Sequence, residues 1–135
     1  SVFNGWIRDV SFNNADSAIL TENSGNVTIS NIYSYGTRFG HYGIHLGSVH
    51  NFLVEDVTIM NSTVHTFSMN TKSTKSVFLR GEGFAQPTLD QHAGANHQNL
   101  YDNMTFHIEA ARDEKGPYYD LWFGGGAGIQ YNVEL

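Results

Sequence analysis

The sequence predicts an all-β fold, a right-handed parallel β-helix of about five coils that forms a single solenoid segment over residues 1–135. Five times along the sequence, a short apolar strand is followed by a similar corner. Successive strands begin 22, 25, 25 and 22 residues apart. A period of roughly 20 to 50 residues is typical of a solenoid, in which each repeat buries its apolar face against its neighbours. The five strands begin at Ile7, Ile29, Val54, Leu79 and Tyr101.

The corners are predicted by the third residue of each unit, which is always Asp, Asn or Gly. These residue types tolerate the left-handed backbone that a sharp corner needs. We therefore expect the corners to have structural rather than catalytic roles. They are predicted at Asp9, Asn31, Asp56, Gly81 and Asn103.

A second strand is predicted in each coil, over residues 17–22, 42–47, 67–72 and 89–94. When these strands are aligned at a constant spacing, residues at equivalent positions form columns across the sheet. Two of the columns point inward, and the alternate residues point outward. A polar loop is expected to be inserted near residues 109–119, after which a strand resumes with Asp120 beside Asp90. The predicted inward columns are Ile19, Ile44, Met69 and Gln91, and Ser17, Tyr42, Phe67 and Leu89.

The outward residues of these second strands form a polar patch in the same alignment. Neighbouring strands of a sheet lie about 4.8 Å apart, so residues in one column approach contact distance. The patch is predicted to contain His45, Asn70, Lys72, Asp90 and His92, flanked by a turn column with His50, Lys75 and His97.

Composition narrows the classes of partner. The formal net charge of −6 argues against nucleic acid, whose binding proteins carry basic surfaces. No apolar run approaches the roughly 18 residues of a membrane span, and the absence of cysteine excludes disulfides and thiolate metal sites. No polar capping unit is readable at either end, so we expect the remainder of a longer β-helix chain to be a partner.

The corner residues and aliphatic columns together resemble the pectate-lyase-like superfamily of right-handed parallel β-helices. The resemblance implies action on polysaccharides outside the cytoplasm, in a secreted, periplasmic or cell-surface protein. It covers most of the chain at the level of the fold. The short motifs of the polygalacturonases and the paired arginines of the true pectate lyases are missing, and Gly43-Ile44-His45 only faintly echoes one of them. No active site is therefore carried over residue by residue.

The leading functional prediction is a polysaccharide lyase that cleaves a uronate-containing polymer by β-elimination. This reaction needs a base and positive charge beside the substrate carboxylate. Lys72 or His92 is the candidate base, and Asp90 is expected to orient His92 or to help hold a calcium ion, the one cofactor suggested. The expected substrate-binding residues are His45, Asn70, Lys75, His97, Arg112 and Trp122.

Two alternatives remain open from the sequence. A glycoside hydrolase would use paired carboxylates, Asp90 with Asp120, and Trp122 as a stacking platform for a sugar. A non-catalytic segment would only bind glycans or space domains, with the polar patch as a plain ladder on the sheet. The isolated histidines His41, His65 and His107 are expected at the surface, and the spacing of His92 and His97 is a weak indication of zinc.

Overall fold

The computed structural model describes residues 1–85, 87–92, 94–108, 122–123 and 130–134, with His92, Ile108 and the last two stretches described by their backbone alone. The chain is a parallel β-solenoid of about four turns, which confirms the predicted all-β class, and the described residues contain no helix. None of them therefore forms a helical segment with the length and hydrophobicity of a bilayer crossing. The loop predicted near 109–119 lies outside the described residues, with Arg112 and Asp120.

Successive strands of the chain alternate between two parallel sheets, so that each turn of the solenoid contributes one strand to each sheet. The six-stranded sheet has the order β1-β3-β5-β7-β9-β11, and the five-stranded sheet has the order β10-β8-β6-β4-β2. Every described strand thus pairs with the strand one turn away, as a solenoid requires. The strands are β1 (Phe3–Asn13), β2 (Ser17–Glu22), β3 (Gly25–Tyr35), β4 (Gly40–Gly47), β5 (His50–Ile59), β6 (Thr63–Asn70), β7 (Val77–Ala85), β8 (Leu89–His92), β9 (Leu100–Ile108), β10 (Trp122–Phe123) and β11 (Gln130–Glu134).

Four of the five predicted corners are confirmed, since Asp9, Asn31, Asp56 and Asn103 all have a positive φ. The corner predicted at Gly81 was wrong, because Arg80 holds the left-handed backbone there, with a φ of 53°. The fourth unit is therefore aligned one residue earlier, with Phe78 paired to Val54 and to Tyr101. This register buries the Phe78 ring. The free energy of that burial outweighs the usual preference for glycine at a corner.

A second left-handed column, five residues before the first, lies along the start of the six-stranded sheet. It contains Asn4, Asn26, Asn51, Lys75 and Gln98, each with φ between 53° and 59°. Asn26 donates through Nδ2 to Asn4 Oδ1 at 3.0 Å, and Asn51 donates in the same way to Asn26 Oδ1 at 2.8 Å. The asparagine side chains thus form a ladder that continues in register to Lys75.

The five-stranded sheet follows the predicted columns in part. Ile19 pairs with Ile44, and Phe67 with Leu89, as expected. Between β4 and β6 the prediction was wrong by two residues, since Ile44 pairs with Phe67 and Tyr42 with His65. The link between the sheets is shorter here: six positions separate Ser34 from Gly40, but only four separate the paired Ile59 and Thr63.

The core lies between the two sheets and is filled by their inward columns. Phe67 of β6 packs against Phe78 of β7 and Phe106 of β9, with ring centroids 5.5 and 5.9 Å apart. Gln91 points inward as predicted, and both Gln91 and Asn99 are buried. Both amides are bonded there: Gln91 Nε2 donates to the Tyr101 hydroxyl at 2.8 Å, and Asn99 Nδ2 donates to the Ser73 carbonyl at 2.8 Å.

Candidate functional site

The structure divides the predicted polar patch between two surfaces. Lys75 and His97 lie at the start of the six-stranded sheet, near the asparagine ladder. His45, Asn70, Asp90 and the backbone of His92 lie on the five-stranded sheet. The first surface contains what we call the corner groove, and the second contains what we call the polar chain.

The corner groove is a depression of about 330 Å³ on the outer side of the six-stranded sheet. Its floor includes the half-buried side chains of Thr28, Leu53 and Val77. Its rim carries the exposed side chains of Asn26, Asn51 and Lys75. Leu53 and Val77 give the floor an apolar part beside Thr28, and the polar rim groups could bind the hydroxyl groups of a ligand.

Lys75 gives the corner groove its positive charge. Its ammonium group makes no ion pair with any residue in the described parts of the chain. Arg80, one corner further along, differs because Nε donates to Asp56 at 2.7 Å and Nη2 donates to Glu55 at 2.7 Å. The Arg80 guanidinium lowers the pKa of the Asp56 carboxyl below its ordinary value. Lys75 is therefore the better placed of the two cations to bind an anionic ligand.

The turn column beside the groove, predicted to contain His50, Lys75 and His97, has one wrong member. His50 and His97 each pair with Thr74, so Thr74 rather than Lys75 lies between them, and Lys75 belongs to the asparagine column. His50 Nδ1 lies 2.9 Å from Thr74 Oγ1, and His97 Nδ1 donates to the Ala95 carbonyl at 2.9 Å. Both imidazoles are exposed at the corner that carries Lys75.

The polar chain crosses four adjacent strands of the five-stranded sheet. Glu22 Oε1 of β2 lies 3.3 Å from His45 Nε2 of β4, and His45 Nδ1 lies 3.5 Å from Ser68 Oγ of β6. Ser68 donates to Asp90 Oδ2 of β8 at 2.7 Å, and His65 Nδ1 lies 3.2 Å from the same oxygen. The pairing of His45 with Ser68, and of Ser68 with Asp90, brings these side chains together.

The polar chain is buried except at one end. Asp90 and Ser68 are fully buried, and His45 and His65 are 5% and 7% exposed, whereas the Glu22 side chain is 62% exposed. The expectation that His65 is a surface histidine was therefore wrong. Burying ionisable groups costs folding free energy unless they are paired, which makes such clusters candidates for function as well as for structure.

Tyr42 covers the polar chain. Its ring stacks on His41 at a centroid distance of 4.3 Å and also contacts the His45 and His65 rings at 4.5 and 5.0 Å. Tyr42 therefore faces outward, and its predicted place in an inward column was wrong. Burial and the nearby carboxylates of Asp90 and Glu22 raise the pKa of the Tyr42 hydroxyl above its ordinary value. Negative charge is thus disfavoured at this surface.

Of the three predicted catalytic residues, Asp90 and His92 belong to β8, whereas Lys72 lies outside the strands of the sheet. Asn70 pairs with His92 as expected, and Asp90 lies two residues before His92 on β8. Asp90 contacts Ser68 and His65. Lys72 lies beyond the end of β6, exposed and with a φ of 67°. The predicted contact of His45 with Asn70 was wrong, since Ser68 occupies that place.

The carboxylate pair expected for a hydrolase, Asp90 with Asp120, stays a prediction. The strand partner of Asp90 is Phe123, and Trp122 pairs with Leu89. Trp122 is described by its backbone alone, and Asp120 and Arg112 lie outside the described residues. Within the described stretches, no group of three or more His, Asp or Glu side chains has a geometry suited to a metal ion.

The residues that sequence reasoning missed are Glu22, His65 and Ser68. Ser68 pairs with Asp90 in the structure, but a lone serine carries no sequence motif that would mark it for function. Its partner His45 became visible only with the register of β4 and β6. Comparison with known proteins adds no further information, since no protein family, curated protein or solved structure matches this chain.

Proposed function

We propose that this solenoid binds a linear, uronate-containing polysaccharide in the corner groove and cleaves it by β-elimination. The observation that carries the proposal is the Lys75 ammonium at the rim of a groove whose other rim groups are the Asn26 and Asn51 amides. Amide groups and a cation are suited to sugar hydroxyls and a carboxylate, and the apolar floor is suited to the face of a sugar ring.

The reaction class follows from the groups at the same corner. β-Elimination needs a base for the proton beside the carboxylate and a cation for the charge that then develops. His50 is an exposed imidazole in the position next to Asn51, and Lys75 is the cation. The resemblance of the corner residues and aliphatic columns to the pectate-lyase-like superfamily is the basis for proposing this class of substrate and a location outside the cytoplasm.

Replacing Lys75 by asparagine is the direct test of the binding site. Asparagine occupies the equivalent position in the two preceding turns and tolerates the left-handed backbone, so the fold should be retained. We expect binding of polygalacturonate at low salt to weaken about two- to fivefold, as for loss of an exposed ion pair. Isothermal titration calorimetry of the two proteins measures this change, which should shrink as salt is added.

Lys72→Asn is the matched control, because Lys72 is also exposed and left-handed but does not line the groove. Equal weakening by both substitutions would mean that binding depends on the net charge of the protein and not on the position of Lys75. That result would contradict the proposed binding site. Catalysis is tested separately, by products with ultraviolet absorbance from the unsaturated bond. New reducing ends without that absorbance would indicate hydrolysis, and binding without either would indicate a non-catalytic glycan-binding segment.

A further inference from the structure

A continuous hydrogen-bonded path along the polar chain needs one proton more than a neutral His45 and ionised Glu22 and Asp90 supply. We call it the added proton. Ser68 has a single hydroxyl proton, and it donates that proton to Asp90 Oδ2 at 2.7 Å. The 3.5 Å contact from His45 to Ser68 Oγ then requires a proton on His45 Nδ1. The 3.3 Å contact between His45 Nε2 and Glu22 Oε1 requires another proton, because otherwise a lone pair would face a carboxylate.

The same proton count allows a second arrangement of the path. If Asp90 holds the added proton, its carboxyl donates to Ser68 Oγ, Ser68 donates to His45 Nδ1, and His45 Nε2–H donates to Glu22. The two arrangements differ only in two hydrogens, which move from Nδ1 to Oγ and from Oγ to Oδ2. The transfer leaves His45 neutral and Asp90 protonated, so charge and atoms balance.

We propose that Glu22, His45, Ser68 and Asp90 form a proton relay that gives this face of the solenoid an acid–base site. Its exposed end is the Glu22 carboxylate, and its buried end is Asp90. A ligand bound at Glu22 can take the added proton, when the His45 Nε2 proton moves to the Glu22 carboxylate and from there to the ligand, and the reverse steps return it. The relay lies on the five-stranded sheet and does not depend on the function of the corner groove.

The space between Glu22 and His45 is formed by a glycine. A Cβ atom at Gly47 would lie 2.4 Å from Glu22 Oε1 and 2.7 Å from His45 Nε2, so a larger residue would displace this contact. Among the side chains that the structure describes, Tyr42 and His41 of β4 and His65 of β6 are further ionisable groups at the relay. His65 Nδ1 is 3.2 Å from Asp90 Oδ2, which places it at the buried end.

Nuclear magnetic resonance of the whole chain, labelled with ¹⁵N in histidine and ¹³C in aspartate, tests the relay without any polysaccharide. We expect the added proton on His45 or on Asp90 in the unaltered protein. Ser68→Ala removes the hydroxyl that joins them, so the His45 Nδ1 resonance and the Asp90 carboxyl resonance should both change. An ionised Asp90 beside a neutral His45 in the unaltered protein would overturn the proposal.

Glu22→Gln provides a second test that leaves the buried residues intact, because Glu22 is at the surface. The His45 Nε2 resonance is expected to shift, since the group that shares its proton is replaced by an amide. Glu82→Gln is the matched control: Glu82 is also an exposed glutamate in contact with a histidine, His107 at 2.8 Å, but it lies on the six-stranded sheet. An unchanged Nε2 resonance in Glu22→Gln, or an equal shift in both variants, would overturn the proposal.

Discussion

Replacing Phe67 by alanine is expected to lower the free energy of unfolding by about 3–5 kcal/mol, as for other buried phenylalanines. Phe67 is fully buried and joins the two sheets through its contacts with Phe78 and Phe106. Its ring also lies against Gly81 and Gly83, where Cβ atoms would be 3.4 and 3.3 Å from it. Truncation to alanine therefore removes packing from both sheets at this point.

Urea unfolding followed by circular dichroism measures this loss. Phe39→Ala is the matched control, because it removes the same atoms from a side chain that is 63% exposed and should change stability by less than about 0.5 kcal/mol. A single domain is stable by only about 5–15 kcal/mol, so Phe67→Ala removes a large share of the total. A loss below about 1 kcal/mol would contradict the packing of the two sheets around this ring.

The repeated corner was enough to predict the solenoid, since four of the five corner residues lie where the sequence places them. The exception has a packing cause. Gly81 is conformationally suited to a corner, but a Cβ there would lie 2.3 Å from the Met104 side chain, so glycine serves close packing instead. Residue preference at one position is a weaker determinant than burial of the Phe78 ring in the adjoining column.

The site could be predicted only in its parts. The sequence identified His45, Lys75 and Asp90 as candidates. Which residues contact them depends on the lengths of the segments that connect the two sheets, and those lengths do not follow the repeat. In a regular strand, an error of two residues leaves a side chain on its predicted face and changes only its neighbour, although Tyr42 at the irregular start of β4 also changed face. That is why His45 remained on the outer face with the polar residues, although it contacts Ser68 instead of Asn70.

Gly43→Ala is expected to destabilise the protein by about 1–3 kcal/mol, as for other insertions into a packed interior. A Cβ at Gly43 would lie 2.4 Å from the Thr66 carbonyl oxygen of the adjacent strand, which no side-chain rotation can relieve. It would also lie 3.2 Å from the Ile59 side chain in the core. The glycine therefore marks where β4 approaches β6, between the outward Tyr42 and the inward Ile44.

The same substitution should disturb the polar chain, because Tyr42 is the residue before Gly43. Moving β4 away from β6 would weaken the contact of Tyr42 with His65 and lengthen the path from His45 to Ser68. Urea unfolding gives the stability change, and the histidine resonances report the site. Gly5→Ala is the control, since its Cβ would meet only the flexible Val2 side chain at 3.1 Å and should change stability by less than about 0.5 kcal/mol. Equal stability of the two variants would contradict the close approach of β4 to β6, and with it the geometry that assembles the relay.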